Sequence, residues 1–211
     1  MTSKIYSEFL GTFVLVFIGV GAIVNNVGLL GIAVAHGIAI AVMVSALAGI
    51  SSAHFNPAVS FGFLISKRIS FIEFINYVVA QLAGATVAAL VLKLGFDLKP
   101  ENLGIPTLNG ISVGTGIVIE AITTFLLMTV IYGVAVDSRG TFKSVAGFPI
   151  GLMITLDILA TGPATGGVMN PARWFGPAIA GMNFSNAIIW IIGPLLGAVV
   201  AAIAYERIAK P

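Results

Sequence analysis

The tripeptide Asn-Pro-Ala occurs twice in this 211-residue chain, at Asn56-Pro57-Ala58 and at Asn170-Pro171-Ala172. Each Asn is suited to cap a helix, and each Pro suits the first helical position, where no amide hydrogen is needed. Aligned peptide dipoles place about half a positive charge at such a helix start. The Asn side chains can donate to the oxygen of a passing water, while the positive ends repel cations, including protons. The pattern indicates a water-filled pore that excludes cations.

The composition indicates the medium in which these tripeptides work. Hydrophobic residues make up 58% of the chain, charged residues 9%, and the mean hydropathy is +1.09. Soluble domains carry roughly a quarter charged residues, so the chain is predicted to be an integral membrane protein. Cysteine is absent, which excludes disulfides, thiol chemistry and cysteine-ligated metal sites.

Apolar segments of spanning length position the two tripeptides. They predict six transmembrane helices in a single domain of residues 1–211, at residues 5–25, 31–51, 71–95, 111–136, 144–161 and 186–207. Residues 54–66 and 162–180 each carry one Asn-Pro-Ala and are too short to cross. Backbone that breaks at membrane depth persists only where protein or a water-filled cavity satisfies its polar groups. We therefore expect two re-entrant half-helices beside an internal polar passage.

The two halves of the chain, residues 1–95 and 111–211, resemble each other. Glu8 and Glu120 begin similar stretches 112 residues apart, the tripeptides lie 114 apart, and Gly84 and Gly197 lie 113 apart. Each half holds three spans, so the second must enter from the opposite face, which predicts an inverted repeat whose half-helices meet at the midplane. Gly84 and Gly197 are expected to permit close helix crossing between the halves.

Basic residues are distributed unequally between the predicted loops. Seven fall on one side, at Lys4, Lys67, Arg68, Arg139, Lys143, Arg207 and Lys210, and two on the other, at Lys93 and Lys99. This asymmetry predicts that both termini are cytoplasmic. The short termini favour the plasma membrane of a microbe over a plant vacuole.

Four buried polar residues have predicted roles. Arg173 lies one turn after Asn170, and because arginine at membrane depth is costly we expect it to act in selectivity. Glu8 and Glu120 are expected to accept hydrogen bonds from loop amides beside the half-helices, in preference to proton coupling. For His54 a role in holding its loop is favoured over a permeation gate.

These motifs resemble those of the aquaporin (major intrinsic protein) family over nearly the whole chain, from Glu8 to Tyr205. The similarity rests on Ser-Ala-His-Phe-Asn-Pro-Ala-Val at 52–59, Met-Asn-Pro-Ala-Arg at 169–173, and the paired glutamates. The stretches at 35–39 and 157–170 look most like the plant tonoplast subgroup. The resemblance implies an all-α channel for water in a lipid bilayer, assembled as a homotetramer with one pore per protomer.

By the same resemblance, the selectivity filter consists of His36, Ile158, Gly167 and Arg173. A typical strict water channel has an aromatic residue and a histidine at the first two positions, so this filter should be wider on one side. Tonoplast channels with this quartet are associated with ammonia passage beside water. The loop of residues 96–109 lacks the histidine thought to assist in that subgroup.

Two residues keep alternative roles. His36 could accept a proton from ammonium or serve as a neutral hydrogen-bonding wall group. Asp157, where the tonoplast pattern has asparagine, could hydrogen-bond an outer loop or tune His36.

Other functions fit the sequence less well than a water and ammonia channel. A glycerol facilitator is disfavoured because Trp174 replaces the aspartate typical of those members, and a secondary transporter because Arg173 is the one charged pore residue. A structural junction protein fits poorly with intact Asn56 and Asn170. No enzyme motif is present, since two histidines 18 residues apart make no metal site. We therefore expect no catalysis, no cofactor, no metal and no nucleic-acid partner.

Overall fold

Helices make up nearly all of the ordered backbone. The computed structural model describes residues 1–99, 102–140 and 143–210. In that part of the chain the α-helices are α1 Thr2–Val24, α2 Gly28–Ser51, α3 Pro57–Ile65, α4 Phe71–Gly95, α5 Val113–Ile131, α6 Gly147–Thr165, α7 Pro171–Gly181 and α8 Ala187–Ala204. Single π-helical turns extend α5 through Val136 and α8 through Ala209.

Six of these helices are long and apolar enough to cross a membrane, while α3 and α7 are half-helices of 9 and 11 residues. The predicted all-α architecture is therefore confirmed. One boundary was wrong: α6 continues to Thr165, beyond the predicted end at residue 161. Pro163 fits within its last turns, and the helix ends where Gly166 adopts a left-handed conformation, with φ +89°.

The two halves interlock through their half-helices. Within each half the first helix packs on the third span, α1 on α4 and α5 on α8. Between halves, α2 packs on α6, α7 packs on α4, and α3 packs on α8. Each half-helix thus rests on the last span of the other half.

Glycines permit the closest of these helix contacts. A Cβ on Gly84 would overlap the carbonyl oxygen of Phe9, and one on Gly197 would overlap that of Ala121. The prediction that these two glycines serve crossings between the halves was therefore wrong, because each lies inside its own half. Gly37 and Gly151 form the close crossing between halves, since a Cβ on either would overlap the carbonyl oxygen of the other.

Charged side chains gather at one end of the bundle. The ion pairs there join Lys4 to Glu73 at 2.7 Å, Arg68 to Glu206 at 2.6 Å, and Lys210 to Glu206 at 2.8 Å. Lys93 lies at the opposite end, where its ammonium donates to the carbonyl of Ala180 at the end of α7. The bundle thus separates these basic residues as the sequence predicts, and the cytoplasmic orientation of that end stays a prediction.

Candidate functional site

The two predicted tripeptides begin the two half-helices. Pro57 and Pro171 occupy the first turns, and the asparagine before each has extended backbone. The Oδ1 atom of Asn56 accepts the amide of Ala58 at 2.8 Å, and Oδ1 of Asn170 accepts the amide of Ala172 at 3.0 Å. Each asparagine therefore caps its own helix, and both helix starts lie at the same cavity.

The asparagines also join the two halves directly. Nδ2 of Asn56 donates to the carbonyl of Met169, and Nδ2 of Asn170 donates to the carbonyl of Phe55, each at 2.9 Å. A side-chain amide has two N–H groups, so each asparagine keeps one donor for a molecule in the cavity. These reciprocal bonds fix the direction of the remaining donors, a feature that the sequence analysis did not foresee.

Glu8 and Glu120 contact the loops that lead into the half-helices. Glu8 accepts the amides of His54 and Phe55 at 2.9 and 2.7 Å. Glu120 accepts those of Val168 and Met169 at 2.9 and 2.7 Å. Both carboxylates are fully buried, and hydrogen bonds to a buried charge are among the stronger ones in proteins.

Sequence reasoning missed the hydroxyl and amide groups that complete these contacts. Ser51 donates to Glu8 and Thr165 to Glu120, each at 2.7 Å. Gln81 adds a further donor to Glu8 at 2.7 Å and is fully buried. The sequence did contain a signal for this contact: Gln81 is a polar residue inside an apolar span, where it needs a hydrogen-bond partner because an unpaired polar group is costly.

His54 lies next to this network, in the wall of the cavity. Its Nδ1 is 3.1 Å from the hydroxyl of Ser60, and its ring packs on Phe63 with centroids 4.4 Å apart. Within the described residues its Nε2 has no hydrogen-bond partner. The contacts suit a residue that holds its loop, and its place in the wall keeps a gating role open.

Two cavities meet at the predicted filter. The inner one, about 250 Å³, has a largely aliphatic wall and contains both asparagines. The outer one, about 390 Å³, is bounded by residues 104–109. Ile158 and Arg173 line both cavities, whereas His36 and Gly167 line the inner one. Ile158 and Arg173 therefore lie where the two cavities meet, Gly167 packs against Ile158, and His36 lies in the wall of the inner cavity.

Arg173 is held at this junction from two sides. Its backbone amide is 3.3 Å from Oδ1 of Asn170, and its guanidinium donates to the carbonyl of Gly104 at 3.2 Å. The side chain is buried. Part of the guanidinium's donor capacity thus remains for a solute, since the group carries five N–H donors.

His36 has a defined tautomer in this environment. Its Nδ1 lies 2.8 Å from the carbonyl oxygen of Ile32, and because a carbonyl only accepts, Nδ1 carries hydrogen. In the neutral ring Nε2 is then an acceptor. In the part of the chain that the structure describes, this Nε2 has no hydrogen-bond partner.

Gly167 and Asp157 flank Ile158 differently. Gly167 has φ +56°, and a Cβ there would lie 3.0 Å from Cα of Ile158, so the absent side chain lets this loop pack closely on α6. Asp157 is buried outside both cavity walls, and Oδ2 of its carboxylate has no partner among the described residues. The hydrogen bond from Asp157 to the described outer-loop residues, one of its two expected roles, is not formed.

Six spanning helices around two half-helices that meet at an internal passage define a multi-pass membrane channel. The sequence profile of the major intrinsic protein family matches residues 1–205, and the chain belongs to this family.

Similar proteins include plant aquaporins of two types. The chain is 41% identical to aquaporin NIP1-1 of Zea mays over 211 residues, covering 97% of this chain and 74% of that protein. It is 39% identical to aquaporin TIP2-1 of Zea mays over 211 residues, covering 94% and 84%. The X-ray structure of the aquaglyceroporin from Plasmodium falciparum superimposes with a TM-score of 0.86 at 28% identity, covering 99% of this chain and 96% of that one.

Proposed function

We propose that this channel conducts water and neutral ammonia passively through one pore per chain, with His36, Ile158, Gly167 and Arg173 as its filter. The observation that carries the proposal is the meeting of the two cavities at Ile158 and Arg173, with His36 and Gly167 in the wall of the inner cavity. Arg173 is the one charged residue in the described wall of either cavity. A passage of this kind suits neutral molecules of the size of water.

The paired asparagines account for proton exclusion in this proposal. A water at the midplane accepts hydrogen bonds from the free N–H groups of Asn56 and Asn170, so its oxygen points at both helix starts. That orientation prevents it from accepting a proton from the next water in the file. The positive ends of α3 and α7 add an electrostatic barrier to any cation.

Ammonia passage is supported by the other residues of the proposed filter. Gly167 contributes no side chain, and His36 lines the inner cavity with an imidazole whose Nε2 is buried. Protonation of His36 would place a second positive charge beside the cavity that Arg173 already lines. The geometry thus favours the neutral role of His36 over proton acceptance, and ammonium must lose its proton before it reaches the junction.

Supporting roles belong to the same proposal. Glu8, Glu120 and His54 hold the loops before the half-helices, and residues 1–211 form one domain of two repeats. Four chains assemble in the plasma membrane, with their termini on the cytoplasmic side. Crosslinking in native membranes measures the assembly: a ladder ending at four chains is expected, and a ladder ending at two would contradict it.

Stopped-flow measurements on vesicles that contain the protein test the transport proposal. An inward gradient of ammonium salt should make the lumen alkaline faster than in empty vesicles, and an osmotic step should shrink the same vesicles faster. A high water flux with alkalinisation equal to that of empty vesicles would refute the ammonia part. Negligible water flux through folded protein would refute the channel as a whole.

Two further measurements on the same vesicles distinguish this channel from a glycerol facilitator and from a secondary transporter. Glycerol uptake at the rate of empty vesicles is expected, and rapid uptake would establish a glycerol facilitator instead. Flux that saturates and depends on a second gradient would indicate a secondary transporter, whereas a passive channel responds only to the gradient of its own solute.

A further inference from the structure

Gly19 of α1 lies directly against the imidazole of His36. If residue 19 had a Cβ, the three nearest atoms would all belong to that ring. It would overlap Nε2 and Cδ2 and lie 2.6 Å from Cε1, and real Cβ contacts are essentially never under 3.0 Å. The ring therefore occupies the space that any other side chain at this position would need.

The contacts of the ring limit how it can yield to such a Cβ. Its Nδ1 is bound to the carbonyl of Ile32 one turn earlier in α2, and the side chain is buried at 3% exposure. The open space beside the ring is the inner cavity that His36 lines. A residue larger than glycine at position 19 would push the imidazole into the passage.

At the inner end of the pore, no glycine packs against a ring at the corresponding positions. The repeat places Ile131 of α5 and Ile150 of α6 at the positions that correspond to Gly19 and His36. Both isoleucines are buried and line the inner cavity with their own side chains. A glycine that accommodates a ring is therefore particular to the filter end and does not follow from the repeat.

We propose that Gly19 is a positioning residue of the filter. Because Gly19 has no side chain, the imidazole of His36 can lie back against α1, and this position of the ring sets the aperture for water and ammonia. Gly19 lies outside the described walls of both cavities, so it acts through His36. This inference rests on the proposed function, because it assumes that His36 is part of the filter.

Four variants test the inference in vesicles, with water and ammonia flux measured on each preparation. Gly19→Ala should lower both fluxes by about tenfold, the effect of about 1.4 kcal/mol in a barrier. His36→Ala should raise the ratio of ammonia to water flux. The double variant should match His36→Ala, since without the ring the Cβ has space. The matched control is Gly21→Ala in the same helix, where a Cβ meets only Cδ2 of Leu92 at 3.7 Å, and wild-type flux is expected.

The outcomes separate the two proposals. Wild-type fluxes in Gly19→Ala, or equally low fluxes in Gly19→Ala and the double variant, overturn the role of Gly19. If His36→Ala changes neither flux nor their ratio, the filter proposal itself fails. If Gly19→Ala yields no folded protein, the double variant should restore the yield, and its failure to do so also overturns the inference.

Discussion

The two halves of this channel share their internal contacts but differ at the two ends of the pore. Ser51 and Thr165 donate to the corresponding glutamates at 2.7 Å. The backbone carbonyls of the same two residues accept from corresponding positions of the third spans, Tyr77 at 2.7 Å and Trp190 at 2.9 Å. These contacts position the half-helices, which must match for the two helix starts to meet.

The pore-facing positions show no such correspondence. Val59 of α3 corresponds to Arg173 of α7, and Ile150 corresponds to His36. All four side chains line the inner cavity. The repeat therefore builds the scaffold twice, whereas Arg173 and His36 have the apolar counterparts Val59 and Ile150. This difference indicates that the supporting contacts and the filter can be changed separately.

The largest expected effect compares the two buried glutamates. Glu8→Ala and Glu120→Ala each leave buried loop amides without an acceptor, and each should lower the free energy of unfolding by about 3 kcal/mol or more. Glu8→Ala should cost about 1 kcal/mol more, because Gln81 also donates to Glu8 while the corresponding residue of α8 is Pro194. Unfolding in detergent measures both. Equal losses would show that Gln81 contributes nothing.

The next largest effect is expected when a residue at the outer end of the pore is replaced by its counterpart from the inner end. Arg173→Val gives α7 the residue that α3 has at Val59, and it removes the positive charge that opposes ammonium. The ammonium current across a planar bilayer should rise by about tenfold, while water flux stays within about twofold. Arg173→Lys is the control, because it keeps the charge and should keep the current low. An unchanged current in Arg173→Val would assign cation exclusion to the half-helix ends alone.

A smaller effect concerns the backbone before each half-helix. Gly167 and its counterpart Ala53 both have left-handed backbone, with φ +56° and +53°. Gly167→Ala should lower stability by about 1 kcal/mol, the cost of this conformation for a residue with a Cβ, and should reduce ammonia flux. Ala53→Gly relieves that strain but increases the freedom of the unfolded chain, so its thermal midpoint should barely change. A stabilised Gly167→Ala would contradict this.

The smallest effect is a dependence on pH at the charged end. Arg139 donates to Asp137 through its side chain and its backbone amide, and this holds the pKa of the Asp137 carboxyl at about 2, below its ordinary 3.8. A lowered pKa means that the stabilisation is present above pH 4 and is lost as the pH falls toward 2. The corresponding turn of the first half, residues 25–27, has no carboxylate.

Hydrogen exchange at residues 137–140 measures this effect. The protection factor, which is the intrinsic exchange rate at each pH divided by the observed rate, should be constant from pH 6 to 8 and should fall below pH 4. Asp137→Asn serves as the comparison and should show the lower protection at every pH. Wild-type protection that persists at pH 3 would contradict the role of this pair.

The sequence predicted the fold well because its signals were local or periodic. Apolar runs of spanning length, two helix-starting tripeptides and a nearly constant repeat distance depend on no knowledge of packing. The errors lay where a local signal was ambiguous. The fifth span was predicted to end at residue 161, but α6 continues through Pro163 to Thr165, because a proline can fit within a helix when its surroundings allow it. Small residues at Gly84 and Gly197 predicted a close crossing but not the partner helix.

The sequence by itself determined the class of protein, the six spans, the two half-helices and the residue types available to a filter, because hydrophobic length and helix capping are properties of short segments. Only the tertiary structure decided which side chains meet. The bonds from Asn56 to Met169 and from Asn170 to Phe55, the donation of Gln81 to Glu8, and the contact of Gly19 with the ring of His36 join residues that are distant in sequence or lie on different helices. Such contacts depend on how helices rotate and cross, and no local pattern encodes that.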